Sequence, residues 1–415
     1  MSQRYEIEDL EPGMYVSELD RPWSETPFLF QGFFIDSPEQ IDELRQYCDY
    51  VHVDLLRKRD SQWHQRLALS GGRKKAELET RSAVRTATGG GDEPDIYPVL
   101  LPMEDELQAA KASQGIAEKA LQKILVDLKR GKDLVLTQAR EAVSGLVESV
   151  IRNPNALIWL SQMKTLDNYT YGHSIDVCGY LLAFGRHLGL TKSELQVLGL
   201  GGLLLDIGKA QLPLPLLQKR GKLTNEEFEL IRSHVVLGLE ALRSAKGVPA
   251  RVLEMVRDHH ERMDGSGYPN ATDGEQLGVF ARMAAIVDTF DAITSERPYA
   301  SALSSHQALR RLYEWRESQF HTGLVEQFIE CLGTYPVGSI VELNTGQIAI
   351  VLAQNRFRQL KPKLMLVMDS SKKLYGTMDV LDMINDPVDA NDNPVEIERA
   401  LEPGMHGIYP RDFYL

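Results

Sequence analysis

From Glu104 to about Leu332 the chain keeps one period, with apolar residues three and four apart and only short polar turns between runs. AEKALQKILVDLKRG and AREAVSGLVESVIRN show it first, and the region from Ala156 to about Leu332 sustains it. A stretch this long with this period can bury its apolar faces only by packing helix on helix. Helix starts are marked by Thr191-x-x-Glu194 and Thr224-x-x-Glu227. Each is a capping box, in which hydroxyl and carboxylate satisfy backbone N–H groups at the helix start. The expected fold is mainly α, an all-helical core.

The flanks read differently. Near the start, EDLEPGMYV and LDRPW...TPFLFQGFFI alternate apolar and polar residues between turn signals, as short strands do. SPEQIDELRQYC then opens a helix with Ser37 as cap, Pro38 at the first helical position and Gln40 completing a capping box; YVHVDLL follows as a strand. After Pro336, GSIVELNTGQIAIVLAQN and PKLMLVMD read as hairpin strands around Asn344-Thr345-Gly346. The segment from Arg57 holds SGGRKK and TGGGDEPD, the composition of a flexible linker. The expected organisation is a small α+β domain over 1–56, a basic, Gly-rich linker over 57–103 and connecting helices over 104–155. A helical domain over 156–335 and a β-rich module over 336–415 complete it.

The formal charge of −13 is unevenly spread. Residues 1–56 carry −10, 57–91 carry +6, 92–368 only −3 and 369–415 carry −6. That balance argues against a DNA- or RNA-coating protein, which needs a basic face for phosphates, but leaves room for a small phosphate ligand in a local pocket. The apolar run Leu198 to Leu205 is too short to span a bilayer, so no integral membrane protein is expected. The opening MSQRYEIEDLEPGM lacks a basic then apolar leader, which points to the cytoplasm. Cys48, Cys178 and Cys331 stand far apart with no CxxC, indicating neither a disulfide framework nor a thiolate zinc site.

Chemistry concentrates in the helical core, where His173, His234, His259 and His260 occur with Asp206 and Asp288. Imidazole and carboxylate together suit divalent iron or manganese better than structural zinc. In DHHERMDGSGYP, two adjacent histidines on a helix point about 100° apart, so they can serve one metal only at a bent or terminal turn. Gly265 and Gly267 allow a tight loop there, and Pro269 pushes Tyr268 towards extended backbone. LLLDIGKAQLP sets Asp206 and Lys209 three apart on one face of a helix. AIVDTFDAITSERPY does the same for Asp288 and Asp291, with Arg297 following as a candidate bidentate phosphate contact.

Five ordered strings, YTYGHS, LLLDIGK, KLTNEEFELIRSH, DHHERMDGSGYP and IVDTFDAITSERPY, together resemble the HD-GYP family of the HD phosphohydrolase superfamily. The resemblance covers about Tyr169 to Phe328, and PGMYV, LDRPW and PFLFQGF resemble the small domain that often precedes HD-GYP domains. It implies a helical HD-type domain with two divalent metal ions, iron or manganese, that hydrolyses cyclic di-GMP to pGpG and/or GMP through a metal-activated hydroxide, lowering the messenger. By motif, His173, Asp206 and Asp288 would hold one metal, and His234, His259 and His260 the other, with Asp206 bridging. Lys209 and Arg297 would meet substrate phosphate, with Gly267, Tyr268 and Pro269 as the GYP signature beside the substrate. Members with a third metal use a Glu four residues before the first His, where this chain has Tyr169, so two metals are expected. The family's His-Asp pair reads Leu205-Asp206 here, and Ala300 stands where a basic residue often follows RPY. Loss of that imidazole raises the alternative of a degenerate receptor that binds cyclic di-GMP without turnover and signals to a partner protein. The family also leaves room for a homodimer.

Overall fold

Capping chemistry and apolar period account for most of the helix boundaries in the computed structural model. It describes residues 2–11, 14–21, 33–35, 38–54, 97–163, 169–219, 221–295, 302–355, 358 and 360–413. The chain divides into two units, Met1–Arg81 and Ser82–Leu415. Most of the expected linker, together with Arg297 and Ala300, lies outside the described residues.

In the first unit, strands β1 (Ser2–Glu6), β2 (Tyr15–Leu19), β3 (Phe33–Phe34) and β4 (Tyr50–Asp54) form an antiparallel sheet in the order β1-β4-β2-β3. Helix α1 (Pro38–Tyr47) begins at the expected proline. Val16, Val51 and Val53 from the strands meet Leu44 of the helix in a small apolar core.

The second unit opens with α2 (Met103–Lys129), α3 (Thr137–Arg152) and α4 (Pro154–Gln162). Glu106 of α2, 1% exposed, accepts two hydrogen bonds from Arg152 of α3 at 2.6 and 2.8 Å, so this buried carboxylate is fully paired. Then come α5 (Tyr169–His187), α6 (Lys192–Leu204), the short α7 (Leu214–Leu217), α8 (Asn225–Arg232), α9 (His234–Ser244), α10 (Ala250–Asp258) and α11 (Val279–Thr294). Helices α12 (Ser305–Trp315) and α13 (Thr322–Leu332) complete the bundle. The expected capping boxes at Thr191 and Thr224 form, the one expected at Ser37 lies outside the described residues, and a further box forms at Ser304 with Gln307.

Helix α6 is apolar almost all round and correspondingly buried, packing against α3, α5 and α10. It is the post around which the other elements stand. The chain ends in a five-stranded antiparallel sheet of β5 (Ile340–Leu343), β6 (Ile348–Ala353), β7 (Lys363–Met368), β8 (Val380–Asp382) and β9 (Ile397–Leu401), in the order β8-β7-β6-β5-β9. The expected turn at Asn344–Gly346 joins β5 to β6. The protein is thus mainly α with small β-containing parts at either end. No helix among the described residues is long and apolar enough to cross a membrane.

Candidate metal centre and active site

Five elements deliver the polar residues, and three of them do so at a helix end or beyond it. Helix α6 stops at Leu204, with Leu205 as a buried cap, and Asp206 opens a 3-10 turn over Ile207–Gln211. Asp206 and Lys209 are therefore not on one helix face as the apolar run suggests; the tighter turn still brings residues three apart into line. Lys209 Nζ contacts Asp206 Oδ2. A glycine at 208 is required by packing, because a Cβ there would lie 1.9 Å from the His234 carbonyl oxygen. The turn thus rests on the first residue of α9, and His234 faces Asp206 with Nε2 3.2 Å from Oδ1.

Helix α10 ends at Asp258, so His259 caps it and His260 follows in the turn. The two rings converge, their centroids 4.0 Å apart, as two adjacent histidines can only at a helix terminus. His173 comes from α5, and Asp288 and Asp291 from consecutive turns of α11.

Two groups result. One oxygen or ring nitrogen from each of Asp206, His234, His259 and His260 lies within 4.8 Å of the others, and the same holds for His173, Asp206 and Asp288. Asp206 belongs to both.

The hydrogen bonds fix what the rings present. His234 Nδ1 lies 2.7 Å from the Ile231 carbonyl and His259 Nδ1 3.0 Å from that of Val256. A carbonyl only accepts, so both Nδ1 atoms carry a proton and each ring turns its Nε2 inward. These Nε2 atoms and Asp206 Oδ1 are buried without a hydrogen-bond partner. Two ring nitrogens and a carboxylate oxygen thus converge, an arrangement that a bound cation satisfies and that fits a divalent ion. Burial pushes His259 down to about 4 and holds His260 well below the usual histidine range, His259 adding to the effect on His260. Both rings are therefore neutral at neutral pH.

The second group is bonded differently. His173 Nδ1 donates to Asp291 Oδ2 at 2.7 Å, and its Nε2 faces Asp288 Oδ1 at 3.0 Å and Asp206 Oδ2 at 3.4 Å. Burial opposes charge on this ring, but its bonds to the three carboxylates carry His173 well above its ordinary value. Asp206 is held well below the carboxylate range against its own burial, by Lys209, His173 and His234. Asp288 is lowered likewise, against burial, by His173 and His260. Both stay ionised.

Beyond the histidine pair runs the loop with Gly267, Tyr268 and Pro269. The Tyr268 ring stacks on His260, centroids 4.6 Å apart, and the Arg232 guanidinium lies 4.4 Å above the Tyr268 ring centroid. Burial raises the Tyr268 hydroxyl, so it remains a donor rather than a base. Leu205 is 2% exposed and offers no ligand atom. The side chain of Tyr169 lies outside the described residues.

Two buried carboxylates matter more than their sequence context announces. Asp291 orients His173, and Glu261 accepts the backbone N–H groups of Asn270 and Thr272. An acidic residue at three-residue spacing from Asp288, and another directly after a His pair, were the available signals.

Comparison with known proteins gives three family models along the chain. An HD domain matches residues 152–322, a domain of unknown function residues 2–139, and a KOW domain associated with HD domain residues 340–387. Cyclic di-GMP phosphodiesterase PA4108 of Pseudomonas aeruginosa is 33% identical over 394 residues, covering 92% of this chain and 89% of its own. The cyclic di-GMP phosphodiesterase response regulator RpfG of Xanthomonas campestris is 30% identical over 54% of this chain and 56% of its own. The 3′3′-cGAMP-specific phosphodiesterase 2 of Vibrio cholerae is 33% identical over 39% of this chain and 31% of its own.

Proposed function

Because the chain belongs to the HD-GYP family of HD-domain phosphodiesterases, we propose that it hydrolyses cyclic di-GMP to pGpG and/or GMP. The observation that carries this reading is the convergence of bare His234 Nε2, His259 Nε2 and Asp206 Oδ1 beside a second ligand group on the same carboxylate.

In this reading His234, His259, His260 and Asp206 hold one divalent ion, and His173, Asp206 and Asp288 a second, with iron or manganese the fitting metals. A third is not expected. When bound, such ions supply Lewis acidity and bring water near its ionisation range at neutral pH. The chain's own residues do the rest. Asp206 presents one oxygen to each group and so fixes their spacing. His173, steadied by Asp291, and ionised Asp288 set the second group's charge. Lys209 brings an ammonium to the edge of the site, where it can leave Asp206 for a phosphoryl oxygen and offset charge gained there. Arg297 is proposed for the same task. Gly267, Tyr268 and Pro269 wall the site, and the protonated Tyr268 hydroxyl can donate to the dinucleotide.

Leu205 leaves the His173 side with three protein ligands, so that position should be the weaker one. The alternative, binding without turnover, rests on that position alone, and the relatives named as cyclic di-GMP phosphodiesterases favour turnover. The deciding measurement is metal content and turnover of wild type beside Leu205→His, on cyclic di-GMP, 3′3′-cGAMP and linear pGpG. The enzyme reading expects product from the wild type under manganese- or iron-loaded, reducing conditions, and a second equivalent of metal held more tightly by the variant. Binding without product, with product appearing only in Leu205→His, would establish the receptor instead. Preference for 3′3′-cGAMP would reassign the substrate.

A further inference from the structure

We infer that Glu261 is the positioning residue of the 264–272 loop, its carboxylate acting as the built-in anion of a backbone cradle that fixes Tyr268 over His260. The inference rests on the phosphodiesterase reading only for its effect on substrate, not for the cradle itself.

Glu261 is 1% exposed, immediately beyond the histidine pair. Its Oε1 accepts the N–H of Asn270 at 2.7 Å and its Oε2 the N–H of Thr272 at 3.1 Å. Between those residues, Ala271 has φ +51°, left-handed backbone that a non-glycine residue rarely adopts. Backbone N–H groups flanking a left-handed residue form a concavity for an anion, and here the chain supplies that anion from nine and eleven residues away. The strain at Ala271 and the burial of Glu261 thus explain each other: the conformation turns two donors to one carboxylate, and the carboxylate holds the conformation in place.

The loop's other end lies on the same stretch of chain. A Cβ on Gly267 would sit 2.4 Å from Glu261 Cα, so the loop can lie this close only with glycine there. The Tyr268 N–H then donates to the His260 carbonyl at 3.2 Å and its ring reaches His260. Glu261 touches neither ligand group; it acts through Tyr268.

The chemistry makes glutamine a poor substitute. Two N–H donors need two acceptors, which a carboxylate has, whereas an amide has one acceptor and turns its NH2 towards the other donor. Glycine at 271 adopts the left-handed conformation without help, so Ala271→Gly should suppress the defect of Glu261→Gln.

The test uses the full-length, manganese-loaded protein with Glu261→Gln, Ala271→Gly and the double variant. Hydrogen exchange of the 264–273 segment is read with metal content and with kcat and KM for cyclic di-GMP. Glu261→Gln should exchange about tenfold faster in that segment and raise KM about tenfold, with kcat within about threefold and metal content unchanged. The double variant should regain at least about half of the lost protection. Unchanged exchange in Glu261→Gln, or no suppression by Ala271→Gly, overturns the cradle. Faster exchange with unaltered KM overturns the positioning role. Should the wild type not turn over, the function reading fails by itself; the exchange arm then decides the cradle, and calorimetric affinity for cyclic di-GMP replaces KM.

Discussion

Replacing Gly208 by alanine tests whether the close approach of the 3-10 turn to α9 builds the candidate centre. A Cβ at 208 would stand 1.9 Å from the His234 carbonyl oxygen, 2.5 Å from Gly238 N and 2.8 Å from His234 C. Ordinary contact begins near 3.4 Å, so turn and helix must part by roughly 1 to 1.5 Å, and every atom in the way is backbone that no rotamer change can move. Overpacking of this kind costs about 1–3 kcal/mol, which urea unfolding of metal-stripped protein will report. The same displacement opens the 3.2 Å approach of His234 to Asp206, far beyond the ~0.2 Å tolerance of metal–ligand distances, and should weaken manganese binding at least ~10-fold by calorimetry. Two other glycines grade the effect. At Gly238 a Cβ would meet Gly208 N at 3.1 Å and Ile207 Cγ2 at 3.2 Å, so Gly238→Ala should be milder in both assays. Gly115, inside α2 with nothing within 4 Å, should gain about 0.5–1 kcal/mol on becoming alanine, with metal binding untouched. If Gly208→Ala unfolds within about 0.5 kcal/mol of wild type and binds manganese within about twofold, the packing does not set the ligand geometry and the reasoning fails.

Asp291→Asn keeps the shape beside His173 but weakens its hold on the Nδ1 proton, and should cost about 10–100-fold in affinity for the weaker metal position while sparing the histidine-rich one; equal loss at both in a metal titration would contradict this. Acid should destabilise the metal-free protein in a defined window. His259 stays neutral when folded down to about 4 but takes a proton from its ordinary value of 6.5 downward when unfolded. The unfolded state therefore binds more protons, and stability falls as pH falls from 6.5 to about 4, by roughly 3 kcal/mol from this residue and further from His260. His173, whose value is raised, is charged in both states there and adds no slope, and the lowered Asp206 and Asp288 act only below about 3.8. Urea midpoints that stay flat across that window would show that the two imidazoles are protonated in the fold.

Much of this was legible from side-chain patterns. The helical period, the caps at Thr191 and Thr224, the strand turn at Asn344–Gly346 and the terminal placement of His259 and His260 all depend on neighbours in sequence, which a sequence displays. What failed depended on distant backbone. Leu203, Leu204 and Leu205 continue the helical period into Asp206, and nothing local says that the helix must stop; it stops where Gly208 seats against His234. The pairing of β9 with β5 brings Leu401 to Ile340 across intervening strands, with no periodic mark. For Glu261 the place after the histidine pair was the one signal, and its role stayed hidden because its partners are N–H groups, which every residue but proline owns.

Asp206 gives one oxygen to each ligand group, and that makes the two groups a single thermodynamic object. Oδ2 is engaged by Lys209 and approached by His173, while Oδ1 waits among bare nitrogens. If both groups take an ion as proposed, filling the histidine-rich position would lock the carboxylate's rotation and spend part of its negative charge, so the neighbouring position would meet a ligand already aimed but less attractive. Occupancy of the two would then be linked in both directions, and binding curves should depart from two independent hyperbolas. In that reading the shared carboxylate, more than any residue on one side, would set how steeply the centre responds to the supply of metal.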